Sequence, residues 1–343
     1  MSNIYPTCSP SYIPYQDPSC NMAFVTPVLV SNSLDDCSRF FDINLLNPWG
    51  LLLTNDTVWV ANESSGLLTS YDLVGRRLQI VSVFGPMGNI EHPTGLIRNC
   101  TNAFVLVRGP ISAPSVLLMA TREGTINGYN QDIWPNNSIT VINNSDCHAV
   151  YTGLAIVGTT IYAADFYNQK IDVYDGEFCQ VKTFPFVDEF SSDPIPEDYG
   201  PYNIVRMQDV LFVTYARQNE LDNQYEVPVG GFISIFTFDG LFVRRFGSRG
   251  VLNAPWALLY APSSFGYPSS AIMVGNYGDG VINIFGPNGQ FLDQLKDEFC
   301  NIISFGNLRS LVPNPCCSRI IYWTASTCNL RTARMGTINS NLD

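Results

Sequence analysis

Six times along the chain a short phrase recurs, usually opened by Pro: an aromatic residue or Thr, then a small residue, then an aliphatic one. The copies are Pro48-Trp49-Gly50-Leu51, Pro93-Thr94-Gly95-Leu96, Tyr151-Thr152-Gly153-Leu154, Pro201-Tyr202-Asn203-Ile204, Pro255-Trp256-Ala257-Leu258 and, degenerate, Leu308-Arg309-Ser310-Leu311. They are spaced by roughly 45–60 residues, room for about four strands each, and such a unit cannot bury both faces without neighbours. The spacing predicts an all-β fold, a six-bladed β-propeller of four-stranded antiparallel blades.

Blade 1 shows the grammar. Strand-like runs at 50–54, 57–61, 67–72 and 78–84 are separated by Asn55-Asp56, by a loop at 62–66 and by Val74-Gly75. Later copies turn at Asp175-Gly176, Asp239-Gly240 and Asn288-Gly289, pairs that suit tight hairpins because both central residues take positive φ. Residues 24–30 read as a strand ahead of the first copy. They are expected to supply the outer strand of blade 6 and close the ring, removing an exposed sheet edge. The domain division is then a Cys- and Pro-rich extension over 1–21 and a propeller over 22–343, with no helix of any length.

The formal charge is −12, and only three of the basic residues are Lys. A nucleic-acid binder needs clustered Lys and Arg, so that partner class is excluded. An acidic surface confers solubility and favours cations or basic partners. No run approaches the ~20 apolar residues of a membrane span. Residues 1–21 lack a basic start and a long apolar stretch, so no signal peptide is recognised.

Ten cysteines without a Cys-x-x-Cys pair point to disulfides rather than a zinc knuckle. The candidates are Cys8 and Cys20 in the extension, Cys100 and Cys147 on one blade, and Cys300, Cys316, Cys317 and Cys328 around the last. Adjacent Cys316 and Cys317 are expected to have different partners. Glycosylation triplets begin at Asn55, Asn62, Asn99, Asn136 and Asn143. Cysteines and triplets together indicate an extracellular or particle-surface setting, which a component of a large DNA virus particle would satisfy without a signal peptide.

Several strings are more specific than the repeat itself. Leu46-Asn47-Pro48-Trp49-Gly50-Leu51, Ala163-Ala164-Asp165-Phe166 followed by Lys170-Ile171-Asp172-Val173-Tyr174, Val213-Thr214-Tyr215-Ala216, Leu252-Asn253-Ala254-Pro255-Trp256-Ala257 and Val274-Gly275-Asn276-Tyr277-Gly278-Asp279-Gly280 resemble a family of bacterial conserved hypothetical proteins with an NHL-like six-bladed propeller. The resemblance covers about 24–325 and implies the fold and export from the cell, but no activity. The chain departs from that family at Arg309, where the family tends to have Trp, and in its many cysteines and its N-terminal extension.

In a propeller the first strand lines the channel and the second returns antiparallel to it, so the start of one and the end of the other share a face. Trp49, Thr94, Thr152, Tyr202, Trp256 and Arg309 are therefore expected as one ring around the mouth. Asn62, Thr121, Asp165, Tyr215, Asn276 and Ala325 form a second. Polar groups converging among aromatic walls are what a ligand site needs, and the same residues also suit packing between blades and bonding at strand ends. Two loops should reach this face: 187–199, with Asp188, Glu189, Asp193, Glu197 and Asp198, and 217–229, with Glu220, Asp222 and Glu226. Their charge favours a cation, a basic peptide or an amine.

The leading expectation is a non-enzymatic binding or structural module, extracellular or virion-associated, that presents this face to a protein or glycan partner and needs no cofactor. The alternative is a Ca²⁺-dependent hydrolase, similar to the lactonase and paraoxonase propellers, with Asn62, Asp165, Asn203 and Asn276 offering the oxygens that a hard cation prefers. His92 and His148 each precede a first strand, without the spacing of a zinc motif.

Overall fold

The computed structural model describes residues 24–54, 56–218, 230–327 and 332–340. The extension at 1–21, with Cys8 and Cys20, and Cys328 lie outside the described residues, as do Glu220, Asp222 and Glu226. Among the described residues regular structure is extended throughout, apart from single 3-10 turns at Glu63–Ser65, Ser145–Cys147 and Ser263–Phe265.

Each phrase of the repeat opens the innermost strand of a blade: Pro48–Thr54, Pro93–Arg98, Tyr151–Val157, Tyr199–Met207, Pro255–Tyr260 and Asn307–Pro313. These six strands contact one another in order and the last returns to the first. Behind each, the remaining strands follow as an antiparallel meander. The small residue of the phrase is where neighbouring inner strands meet. A Cβ on Gly50 would lie 2.5 Å from the Thr94 carbonyl oxygen, and one on Gly153 would lie 2.2 Å from Asn203 Oδ1. Where the third residue is polar it bonds across the seam instead: Asn203 Nδ2 donates to the Trp256 carbonyl at 2.7 Å and Ser310 Oγ to that of Trp49 at 2.8 Å.

The core is divided among the seams, as a stack of twisted sheets requires. Six buried apolar clusters each join two adjacent blades. That between blades 5 and 6 gathers Met273, Ile284, Leu308 and Trp323, and that between blades 3 and 4 gathers Tyr162, Val173, Leu211 and Phe236. A seventh, Trp49, Phe166, Tyr202, Ala216, Ala254, Trp256 and Tyr277, sits on the channel axis.

Closure follows the expected route. Val28–Ser31 pairs antiparallel with Ala333–Ser340, Val30 facing Met335 and Ser31 facing Arg334. Two details go beyond the expectation: Phe24–Val25 pairs with the far end of the same C-terminal strand, and Phe40–Phe41 adds a parallel strand outside Val28–Ser31. Blade 2 carries an insertion that the repeat did not announce, a hairpin of Val105–Arg108 with Ile111–Pro114 turning at Gly109, φ +60°.

The cysteine expectations need correction. Cys100, Cys147, Cys316 and Cys317 are free thiols, as is Cys179. Cys100 follows the end of an inner strand and Cys147 precedes the start of the next, so they lie at opposite faces of the ring, too far apart for a disulfide. Cys37 and Cys300 are disulfide-bonded. Among the glycosylation triplets, Asn62 and Asn99 are buried and their side-chain amides bond inside the fold, which removes them as acceptors. Asn136 and Asn143 are exposed.

Candidate functional site

The mouth of the channel is shaped by one device used six times. In every blade the pairing between first and second strands slips within the repeated phrase. Tyr151 faces Asp165 and Gly153 faces Ala164, leaving Thr152 unmatched; Tyr202, Trp256 and Arg309 are left over in the same way. A β-bulge re-aims the extra side chain. The expected ring is therefore real as a geometric object, with Trp49, Thr94, Thr152, Tyr202, Trp256 and Arg309 all at or below 6% exposure.

This ring closes the channel. The Arg309 guanidinium lies between two aromatic faces, its carbon 3.6 Å from the Trp49 ring centroid and 3.4 Å from that of Tyr277, and Nη1 donates to the Tyr202 hydroxyl. A desolvated cation over aromatic faces is worth about 2 kcal/mol or more, and Arg presents a flat group that Lys does not. Trp49 meets Tyr202 and Trp256 edge-on at 6.1 and 6.2 Å. The two Thr members bond across seams, Thr94 Oγ1 donating to the Tyr151 carbonyl at 2.7 Å and Thr152 Oγ1 to that of Pro201 at 3.4 Å, while Trp256 Nε1 reaches from blade 5 to the Thr152 carbonyl of blade 3 at 3.1 Å.

The second ring stands where the pairing predicts, since Pro48 faces Asn62, Pro201 faces Tyr215 and Pro255 faces Asn276. Its members are spread over separate blades and bond locally. Asn62 Nδ2 donates to Thr69 Oγ1 at 2.8 Å and Asn276 Nδ2 to the Val251 carbonyl at 2.8 Å. Thr121 shares a hydrogen bond with Thr125, and Ala325 is buried. Asp165 accepts from the Val150 and Asn168 backbone N–H groups and from Asn168 Nδ2, while burial pushes its carboxyl above the usual range. Asn203, the remaining oxygen donor considered for Ca²⁺, bonds to Trp256 and to its own strand. No group of three or more His, Cys, Asp or Glu converges as a metal site among the described residues.

The sequence reading missed a third ring, although a signal for it existed: the residue directly after each second-ring member. Those residues are Glu63, Arg122, Phe166, Ala216, Tyr277 and Ser326. Phe166 and Tyr277 join the aromatic plug, and Glu63 pairs with Arg122. Burial alone would raise the Glu63 carboxyl, but the Arg122 charge and hydrogen bonds from Ser64, Arg122 and Asn47 hold it below its ordinary value. Nearby, His92 Nδ1 lies 2.5 Å from Glu123 Oε1. His148 is exposed against Tyr167 in the next blade, so the two histidines serve different surroundings.

Below the plug the channel holds a cavity of about 370 Å³. Its lining repeats the fourth residue of the phrase: Leu51, Leu96, Leu154, Ile204, Leu258 and Leu311. Its ionisable lining residues are Arg98 and Arg206.

The acidic segment at 187–199 is less negative in effect than its composition suggests. Asp188, Asp193 and Asp198 pair with Arg245, Arg249 and Arg217 at 2.8, 2.7 and 2.6 Å. Behind this segment, between blades 3 and 4, lies a larger cavity of about 660 Å³, lined in part by Tyr215, Lys170, Lys182, Gln180 and Glu197.

No family model matches the chain. It is 42% identical over 304 residues to uncharacterized protein R640 of Acanthamoeba polyphaga mimivirus, covering 88% of this chain and 57% of that one. To uncharacterized protein R648 of the same virus it is 38% identical over 334 residues, covering 93% and 83%. The chain belongs to this family of mimivirus proteins. The kinship is thus viral where the sequence strings suggested a bacterial family, and the chain spans little more than half of R640. Among solved structures, a streptogramin B lyase has a TM-score of 0.55 at 13% identity, covering 95% of this chain and 100% of that one. An auxiliary nutrient binding protein from Bacteroides ovatus has a TM-score of 0.59 at 10% identity, covering 94% and 78%. At these identities the likeness to the two solved structures shows the propeller fold alone.

Proposed function

We propose that the protein is a non-enzymatic, virion-associated binding module that meets a protein or glycan partner on the loop surface of blades 3 and 4. The observation that carries this reading is the clasping of the 188–198 segment by three Arg–Asp pairs from blade 4. An irregular surface segment fixed on a rigid scaffold loses little freedom on binding, which is how loops become recognition elements. The plugged channel mouth and the aliphatic cavity beneath it supply no carboxylate or imidazole among the residues lining that cavity. Mimivirus kinship supports the virion setting.

Amine cross-linking of the protein with its neighbours in its native source tests the reading. The chain has three lysines, and Lys170 and Lys182 both border the proposed surface, while Lys296 stands in blade 5. Partner adducts on Lys170 and Lys182 are expected. Adducts confined to Lys296 would place the contact elsewhere and overturn it.

A further inference from the structure

The cavity between blades 3 and 4 has the makings of a ligand site that the channel lacks. Its volume of about 660 Å³ falls within the roughly 300–1,000 Å³ of small-molecule pockets. Among its lining residues is Tyr215, 8% exposed, whose hydroxyl has no hydrogen-bond partner among the described residues. Burial pushes that phenol well above its ordinary range, so it remains a neutral group able both to donate and to accept. Bonded to nothing in the described fold and lining the cavity, the hydroxyl is open to a ligand's polar group.

The surroundings narrow the chemistry of that ligand. Lys170 is held by Asp172 at 2.8 Å, and Asp188 is neutralised by Arg245. Lys182 and Glu197 are exposed on the lining without an ion pair among the described residues, one of each sign. The cavity therefore carries no net formal charge to reward a phosphate, a sulfate or a polyamine. It offers mixed donors and acceptors from Tyr215, Lys182, Gln180 and Glu197, beside the aromatic rings of Tyr199 and Phe184. Hydroxyl groups that act in both senses, set on an apolar ring face, match that combination.

We infer that this cavity binds a neutral saccharide of one or two sugar units, with the Tyr215 hydroxyl as its deepest polar contact. The inference rests on the binding-module reading and selects the glycan from its two partner classes.

The test uses the intact chain on an array of neutral, sialylated and sulfated glycans, followed by calorimetry and saturation-transfer NMR with the best neutral disaccharide. Binding of neutral glycans is expected. Tyr215→Phe should weaken it at least about fivefold while leaving the thermal midpoint unchanged, because the hydroxyl bonds nothing within the described fold. Lys182→Ala, on the exposed rim, should weaken binding without affecting folding. No neutral glycan bound, a preference for charged glycans, or unchanged affinity in Tyr215→Phe would each overturn the inference. Protein cross-links at Lys170 and Lys182 without sugar binding would defeat the saccharide and spare the module. Sugar binding at Tyr215 with all partner cross-links at Lys296 would uphold the saccharide site and remove a protein partner from this surface.

Discussion

Removing the Asp188 carboxylate is the sharpest probe of how the blade 3–4 surface is held. Asp188 and Arg245 side chains are 9% and 4% exposed, with Nη2 to Oδ1 at 2.8 Å and Nε to Oδ2 at 3.3 Å. In Asp188→Ala the guanidinium keeps only neutral acceptors, Ser234 Oγ at 3.0 Å, Ser248 Oγ at 2.8 Å and the Asp193 carbonyl at 3.2 Å. Breaking a buried pair typically costs ~3–5 kcal/mol. Because Arg245 also lies 5.2 Å from the Phe190 ring and 5.0 Å from the Phe232 ring, the lower end, about 3 kcal/mol, is expected. Arg245→Met should cost a similar amount by stranding the carboxylate. The double variant removes both charges, so its cost should fall well short of the sum, with a coupling of about 2 kcal/mol or more. Urea unfolding followed by tryptophan fluorescence measures each midpoint, with an unchanged slope showing that stability alone has moved. Single variants costing less than about 1 kcal/mol, or strict additivity in the cycle, would refute the claim that this pair anchors the segment.

Three further outcomes are expected. Gly153→Ala should destabilise by ~1–3 kcal/mol through overpacking, since the new Cβ meets Asn203 Oδ1 at 2.2 Å and its Cα at 2.8 Å; thermal unfolding checks this, with Gly158→Ala as a control for an uncrowded glycine whose positive φ adds its own strain. The Glu123 hydrogen bond raises His92 above 6.5, while Glu123, despite its burial, is lowered below 4.5 by hydrogen bonds from His92. Their mutual stabilisation is thus complete between those values, is lost as pH rises through the folded His92 value, and is lost on acidification through that of Glu123; the stability difference between the wild type and Glu123→Gln, followed by denaturation from pH 4 to 9, should peak near pH 5–6. Native maleimide labelling read by peptide mass should modify the exposed Cys100, Cys147, Cys179 and Cys316, whereas Cys37 and Cys300 should react only after reduction.

The fold was legible because its repeat encodes a contact rather than a composition. Gly50, Gly95 and Gly153 are small because another inner strand lies against them, and Trp49, Tyr202, Trp256 and Arg309 recur because a bulge directs each of them inward. Local pairing also placed the second ring, since residues facing each other across adjacent strands follow from register. What the residues do there was less legible. Whether Arg309 lies in solvent or between Trp49 and Tyr277 depends on side chains from blades 1 and 5, contributed by segments far away in sequence. The cavity between blades 3 and 4 was harder still to foresee, because it depends on how the irregular 182–198 segment crosses between the blades. Two of the three lysines within thirteen residues, at 170 and 182, were the one faint sign of it. Charge counting misled on the acidic loop for a related reason: Arg217, Arg245 and Arg249 reach its carboxylates from blade 4.

The seam at which the ring closes joins Ser31 to Arg334, some three hundred residues apart. During synthesis the first half of that seam leaves the ribosome long before its mate exists, by tens of seconds at about 5–20 residues per second. Blades 1 to 5 have all their own strands in that interval, yet the ring stays an open arc until the final strand arrives. On a crowded polysome the strand at 28–31 of one nascent chain faces the unfilled edge of another as readily as its own. Reciprocal exchange would give closed dimers, and one-way exchange would link copies head to tail into chains. Yield of monomer should therefore depend on how far apart the nascent chains are kept, and slower initiation or lower expression temperature would act on assembly through that spacing rather than through the stability of the finished ring.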